Sequence, residues 1–395
     1  MTLDLFNLTL VGVSLLVLIA VAAVGVSRRA GLPALLIYIA LGLIVGEAGF
    51  GLRFDDAELT QVLGFGLLAI VLTEGGLTTR WTVIKPVLGV ALALSTLGVV
   101  ISVGVTALLT YWVLGVDVRT ALLLGTVVSS TDAAAVFSVM RRLPLRARPK
   151  AILEAESGLN DAPVVIVVSL LVSDSWATTN GWLAAAEAVF QLVAGGILGF
   201  LIAWFGKAAI RRTTIPAAGL YPIAVVFIAL LSFGVAGLAG LSSFAAVYVA
   251  ALKLGNANLP HARSTRGFAE SLAWLAQIAL FVLLGLLASP ARLTDALLPA
   301  LVVGSVLLLV ARPLSIVIAS IGFGLPWQEK AFLSWAGLRG AVPIVLATIP
   351  ISAGISEPQK IFDIVFVLVV IFTLVQAPVL PRLVKILGLG RSPEP

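Results

Sequence analysis

The chain of 395 residues predicts an all-α integral membrane protein with thirteen transmembrane helices. Three observations carry that expectation. Hydrophobic residues make up 60% of the sequence and charged ones only 11%, whereas about a quarter of a soluble domain is charged. The apolar runs are ~18–28 residues long, the length that crosses ~30 Å of hydrocarbon at ~1.5 Å per residue. Basic residues also alternate between abundant and sparse from one loop to the next.

The apolar segments lie at about 7–27, 31–49, 60–78, 86–114, 119–140, 152–173, 182–206, 215–234, 238–253, 268–288, 296–322, 329–350 and 361–387. The first lacks a basic flank and a small-residue cleavage site, so it is read as a retained span rather than a signal peptide. Only the glycine-rich stretch from Gly234 to Gly240 divides the eighth from the ninth.

Nineteen of the 25 Lys and Arg residues follow odd-numbered spans. Four follow even-numbered ones (Arg53, Arg119, Arg292 and Lys360), and Arg312 and Arg339 fall inside spans. One missed or invented span would destroy that alternation. The positive-inside rule then puts the N-terminus outside and the C-terminus in the cytoplasm of a cell (inner) membrane. Charge spread over loops argues against a nucleic-acid partner despite the net +6. Cysteine is absent, which excludes disulfides, thiolate nucleophiles and Cys-based metal sites. Residues 1–395 are expected to form one transmembrane domain with no cytosolic regulatory domain. Thirteen spans divide as six, one, six, and pairing each span with the one seven later reverses its direction, as an inverted-topology repeat requires.

A carboxylate at mid-membrane costs about 2.5–3.5 kcal/mol on insertion scales, so an acid found there is a functional candidate. Glu74 in span three, Asp132 in span five, Glu156 and Asp161 in span six, and the base Arg339 in span twelve qualify. Rise per residue puts Asp132, Asp161 and Glu74 at ~20, ~16 and ~21 Å from the outer face and Arg339 at ~15 Å from the inner one. Four helices thus bring ionisable groups to one level.

Span five is interrupted by Ser129-Ser130-Thr131-Asp132, whose side-chain oxygens compete with the backbone for hydrogen bonds and favour unwinding. Span twelve carries Gly337-Leu338-Arg339-Gly340-Ala341-Val342-Pro343, a second interruption in the repeat-related helix. Paired broken helices point to a transporter site. Unwound carbonyls with a carboxylate suit a dehydrated Na⁺ or K⁺. In span six, Ser157 and Asp161 share one helical face and Glu156 and Asn160 the next. Glu156 is expected to pair with Arg339, and Arg312, near the inner end of span eleven, to snorkel. Thr131 and Ser157 also suit bonds to their own i−4 carbonyls. Glu74 suits a cytoplasmic vestibule as well as the ion itself. The sole histidine, His261, reads as an exposed loop residue.

Asp132 and Asp161 side by side in a low dielectric cannot both stay ionised without a cation, so a proton and a cation compete for them. If the protein rocks only when loaded, that competition is exchange. A cation channel would carry a filter sequence, and none is present. A cation-coupled organic solute transporter would need a larger polar pocket. Aspartyl intramembrane proteolysis lacks the GxGD pattern around these acids.

Four motifs, EGGL at 74–77, STDAAAVFS at 130–138, ESGLND at 156–161 and GLRGAVP at 337–343, resemble those of the NhaP-like cation/proton antiporters of the CPA1 type over residues 30–350. The resemblance implies a thirteen-helix homodimer with crossed, interrupted fifth and twelfth helices. It implies a cation held by Asp132, Asp161, Ser157, Glu74 and Thr131 (the last through its backbone carbonyl), with Glu156 paired to Arg339 and Asn160 supporting the site. An Asn-Asp pair on the sixth helix goes with electroneutral one-for-one exchange in this family, and the wording is similar to the potassium/proton branch. No cofactor is implied; K⁺ or Na⁺ and H⁺ are the cargo.

Overall fold

The computed structural model describes residues 3–30, 33–52, 54–140, 143–213 and 216–390. Arg53, Arg141, Arg142 and Arg391, and the side chains of Arg28 and Arg29, lie outside the described residues. Among the described residues nine helices are long and apolar enough to cross a bilayer, and a further pair is bent by 50° at its break. With the shorter helices included, the elements in chain order are α1 (Leu3–Ala30), α2 (Ala34–Val45), α3 (Ala57–Thr78), α4 (Trp81–Leu114), α5 (Val118–Ser129), α6 (Ala133–Met140), α7 (Ala147–Leu159) and α8 (Asp161–Val172). There follow α9 (Gly181–Arg212), α10 (Leu220–Leu238), α11 (Ser243–Gly255), α12 (Ala262–Leu287), α13 (Pro290–Ala319), α14 (Trp327–Ala336), α15 (Ala341–Ser352) and α16 (Pro358–Ile386). Each apolar segment of the sequence holds one helix or two in succession: α5 with α6, α7 with α8, and α14 with α15.

Several boundaries differ from expectation, among them the starts of α7, α12 and α13, which begin five or six residues earlier than expected, and two differences have a clear physical reason. The eighth segment stays helical through Gly234 and Gly237, and the chain turns at residues 239–242, where Gly240 adopts φ +68°. Apolar surroundings offer the backbone no water, so the helix persists until the turn can satisfy it. The helix of the fourth segment begins at Trp81, before the expected 86, because a 3₁₀ turn over Lys85–Val87 absorbs Pro86.

The helices sort into two groups by what they pack against. Helices α2, α3 and α9–α12 pack on one another, with α1 laid on α2. Helices α4–α8 and α13–α16 form the second group, which meets the first mainly along α3. Burial follows this division: 11% of the apolar window of α1 and 17% of that of α9 are covered, against 56% for α3, α12 and α16. Helices α1 and α9 therefore turn apolar side chains toward lipid, while the second group encloses the polar residues. Both α4 and α13 widen by one residue into a π-turn, at Leu94–Gly98 and Leu307–Ala311.

Close backbone approach holds α2 to α12. A Cβ on Gly285 would lie 2.4 Å from the Ile39 carbonyl oxygen, and one on Gly42 would lie 2.2 Å from that of Val282. Such small-residue contacts replace the hydrophobic driving force that is missing in lipid. Gly285→Ala is expected to destabilise the protein by about 1–3 kcal/mol, the usual penalty of overpacking. Thermal unfolding in detergent checks this; an unshifted transition would refute the tight α2–α12 contact.

Candidate functional site

The site forms where two helices stop inside the bundle beside the middle of a third. The chain leaves α5 at Ser130, with φ −65° and ψ 137°, and re-enters helix at Ala133. It leaves α14 at Gly337 and re-enters at Ala341. The two extended segments meet: the Asp132 N–H donates to the Leu338 carbonyl at 3.0 Å, and Asp132 Oδ2 accepts the Ala341 N–H at 2.5 Å. Asp132 Oδ1 also stands 3.4 Å from the Ala135 N–H, in the first turn of α6. A single carboxylate thus meets donors in the first turns of two helices, where backbone dipoles favour negative charge. Gly340 makes the meeting possible, because a Cβ there would fall 1.9 Å from Asp132 Oδ2.

Between α7 and α8, Asn160 keeps right-handed helical dihedrals (φ −79°, ψ −19°) and its N–H donates to the Glu156 carbonyl at 2.9 Å, so span six continues through it as one helix. Ser157, Asn160 and Asp161 face the extended segment of span five. Ser130 Oγ donates to Asp161 Oδ1 at 2.7 Å, Thr131 Oγ1 and Ser157 Oγ are 2.9 Å apart, and Asn160 Nδ2 donates to Thr131 Oγ1 at 2.6 Å. Thr131 and Ser157 therefore bond to each other between spans rather than to i−4 carbonyls, whereas neighbouring Ser129 does bond back, to Gly125. Asn160, which i,i+4 spacing groups with Glu156, has a partner of its own in Thr131. Asp132, Asp161, Thr131, Ser157 and Asn160 are at most 1% exposed, and the charges of Asp132 and Asp161 lie within electrostatic reach of each other.

The expected partner of Glu156 has to be corrected. Its carboxylate is held by Arg312, through NH1 to Oε1 at 2.5 Å and NH2 to Oε2 at 2.9 Å. Arg312 is only 4% exposed and does not snorkel. Arg312 follows directly on the π-turn of α13, which ends at Ala311, and the guanidinium lies against Gly337, where a Cβ would be 2.9 Å from its Nε. The π-turn of α4 reaches the same residue, with Ser95 Oγ donating to the Glu156 carbonyl at 3.2 Å. Arg339 is also buried and within electrostatic reach of Glu156, but its backbone carbonyl is what accepts a bond, from Thr373 Oγ1 at 3.3 Å. Sequence reasoning missed Arg312 and Ser130 as site residues. The signal for Arg312 was present, since it is one of two bases inside a span.

Two cavities flank the site along span six. Glu74, 2% exposed, lines one of about 400 Å³ together with Arg80, Lys150 and Glu154. The other, of about 460 Å³, runs along α8 from Ala162. Glu74 thus belongs to a cavity wall, with Lys150 and Glu154 on the first turns of α7. His261 packs its ring 5.1 Å from that of Tyr221.

Residues 14–386 match the family described as sodium/hydrogen exchanger, transmembrane. The K(+)/H(+) antiporter NhaP of Alkalimonas amylolytica is 36% identical over 372 residues, covering 93% of this chain and 65% of that protein. The K(+)/H(+) antiporter NhaP2 of Shewanella sp. (strain MR-4) is 34% identical, covering 97% of this chain and 67% of that protein. The chain therefore spans about two thirds of the length of these relatives. Among solved structures, the sodium proton antiporter MjNhaP1 from Methanocaldococcus jannaschii superposes with a TM-score of 0.83 over 97% of this chain and 99% of its own, at 22% identity. A bundle with crossed, broken helices around buried carboxylates defines the class as a secondary-transporter fold. The chain belongs, within that class, to the sodium/hydrogen exchanger family, on its NhaP-like branch.

Arg312→Gln is expected to cost about 3–5 kcal/mol, because it leaves a buried carboxylate without its bidentate partner. The double variant Arg312→Gln/Glu156→Gln should recover part of that loss. Unfolding of the purified variants in detergent checks both; full stability in Arg312→Gln would return the pairing to Arg339.

Proposed function

We propose that the chain is a secondary antiporter that exchanges a monovalent cation for H⁺, with K⁺ favoured and Na⁺ possible as cargo. Asp161 carries the reading. It is a buried carboxylate bonded to the unwound segment of span five and set between two cavities on opposite stretches of span six. Asp161 Oδ1, Ser157 Oγ and the oxygens of Thr131 supply hard ligands for a cation that has shed water. Asp132 supplies negative charge while staying bound to backbone donors. A proton on Asp161 satisfies the same site when the cation leaves, so the two cargoes are alternatives. Loading by either allows the second helix group to move against the first, and each cavity in turn opens to the site.

The preference for K⁺ draws on the printed names of the Alkalimonas and Shewanella relatives. The Na(+)/H(+) antiporter ApNhaP of Aphanothece halophytica, at 28% identity, keeps Na⁺ in play. One exchangeable acid beside Asn160 supports electroneutral one-for-one exchange. The reading includes thirteen spans, an external N-terminus, a cytoplasmic C-terminus and a homodimer. Matching irregularities support its inverted repeat: spans four and eleven share a π-turn, and spans five and twelve share a break.

Proteoliposomes holding a K⁺, Na⁺ or Li⁺ gradient provide the test. One of these cations should drive proton movement that persists when ionophores clamp the voltage. Asp161→Asn should lose that flux by at least tenfold while still inserting. Flux that survives in Asp161→Asn, or no flux with any of the three cations, would overturn the proposal.

A further inference from the structure

The cavity along α8 starts beside Asp161, at Ala162, and continues past Val165 and Ser169 to Ser173. Val165 and Ser169 follow Asp161 at intervals of four, so one face of α8 leads from the buried carboxylate toward the helix end. Its volume of about 460 Å³ holds several waters. Its polar lining comprises Ser169, Ser173, Ser242, Ser243, Gln191 and Glu187, and Glu187 is its sole ionisable group among the described residues. Arg119, close by, turns its charge into the Leu171 and Ser173 carbonyls at 2.7 and 3.2 Å and toward the Trp176 ring. On the opposite wall Phe65 and Phe233 pack edge-to-face on Phe244, with centroids 5.4 and 5.3 Å apart.

Glu187 stands six residues into α9, ~9 Å along its axis. The lipid-facing positions around it are apolar, with Trp182, Leu183, Val189 and Phe190 all exposed. A carboxylate at that depth is tolerated where it meets water in a cavity rather than hydrocarbon. Gln191, one turn on, donates from Nε2 to Glu187 Oε1 at 3.1 Å and orients the carboxylate. A vestibule with hydroxyls, one carboxylate and no base concentrates hydrated cations and repels anions.

We propose that this cavity is the external vestibule of the transport site and that Glu187 is its cation-recruiting residue, setting affinity for the external cation without ligating it at Asp161. The inference rests on the antiporter reading and on the external placement of the α8–α9 connection. A unit charge ~8 Å away in water changes the local concentration of a monovalent ion about twofold, so the preference for a cation over an anion changes about fourfold.

The test uses the absence of cysteine from the chain. In the full-length protein Ser169→Cys supplies a single thiol in the cavity, and Ser173→Cys serves as a second reporter. Membrane-impermeant methanethiosulfonates bearing a trimethylammonium or a sulfonate group are added outside. Both thiols should react from outside, with a cation-to-anion rate ratio that falls about fourfold when Glu187→Gln is added and less so at high salt. Separately, Glu187→Gln should raise KM for the external cation about twofold and leave KM for the internal cation unchanged. Thiols reached only from inside, or a rate ratio indifferent to Glu187, would overturn the vestibule. Wild-type protein without cation/proton flux would remove the antiporter reading instead, and the labelling result would still stand or fall by itself.

Discussion

Ending a helix inside a membrane strands N–H and C=O groups where no water reaches them, and each costs several kcal/mol if left unpaired. The bundle does this at two crossing segments, and Asp132 is the residue that makes it tolerable. Its N–H answers the Leu338 carbonyl, and its carboxylate answers the Ala341 N–H while facing the start of α6. Every other contact of the site assumes that crossing. Ser130 and Thr131 can reach Asp161, Ser157 and Asn160 only because residues 130–132 are extended.

Charge is distributed around this crossing according to burial. The Asp132 charge is stabilised by backbone N–H groups at two helix starts, and that of Glu156 by the two-pronged grip of Arg312 with Arg339 nearby. Among the described residues, the Ser130 hydroxyl is the hydrogen-bonding partner of the Asp161 carboxylate. That difference separates a carboxylate tied to backbone donors from one held by a single hydroxyl. The π-turns of α4 and α13 are part of the same arrangement, since both deliver a side chain to Glu156. An extra residue in a helical turn commonly marks such functional positions.

Much of this was legible in the residues. The apolar lengths and the alternating basic loops speak for a polytopic bundle, since lipid thickness and the membrane's charge asymmetry act on each segment by itself. Ser129 to Asp132 and Gly337 to Pro343 announced the breaks because their backbone preferences are local. Four of the expected polar residues, Thr131, Ser157, Asn160 and Asp161, meet across one gap. Glu74 belongs to a cavity wall, and Asp132 reaches the same gap through backbone groups.

The pairing of charges was not legible, because it depends on how helices far apart in sequence rotate against each other. Arg339 sits in the more suggestive motif, yet Arg312, directly after a π-turn, takes Glu156, and Gly337 leaves room for its guanidinium. Asn160 and Glu156, which i,i+4 spacing groups on one face, likewise take different partners, Thr131 and Arg312. Sequence alone determined the solvent of this protein, the number of its apolar segments and where its helices break, since these follow from local hydropathy and backbone chemistry. Only the tertiary structure decided which base meets which acid and which carboxylate is tied to backbone donors, because those depend on distances of a few ångströms between segments up to 209 residues apart.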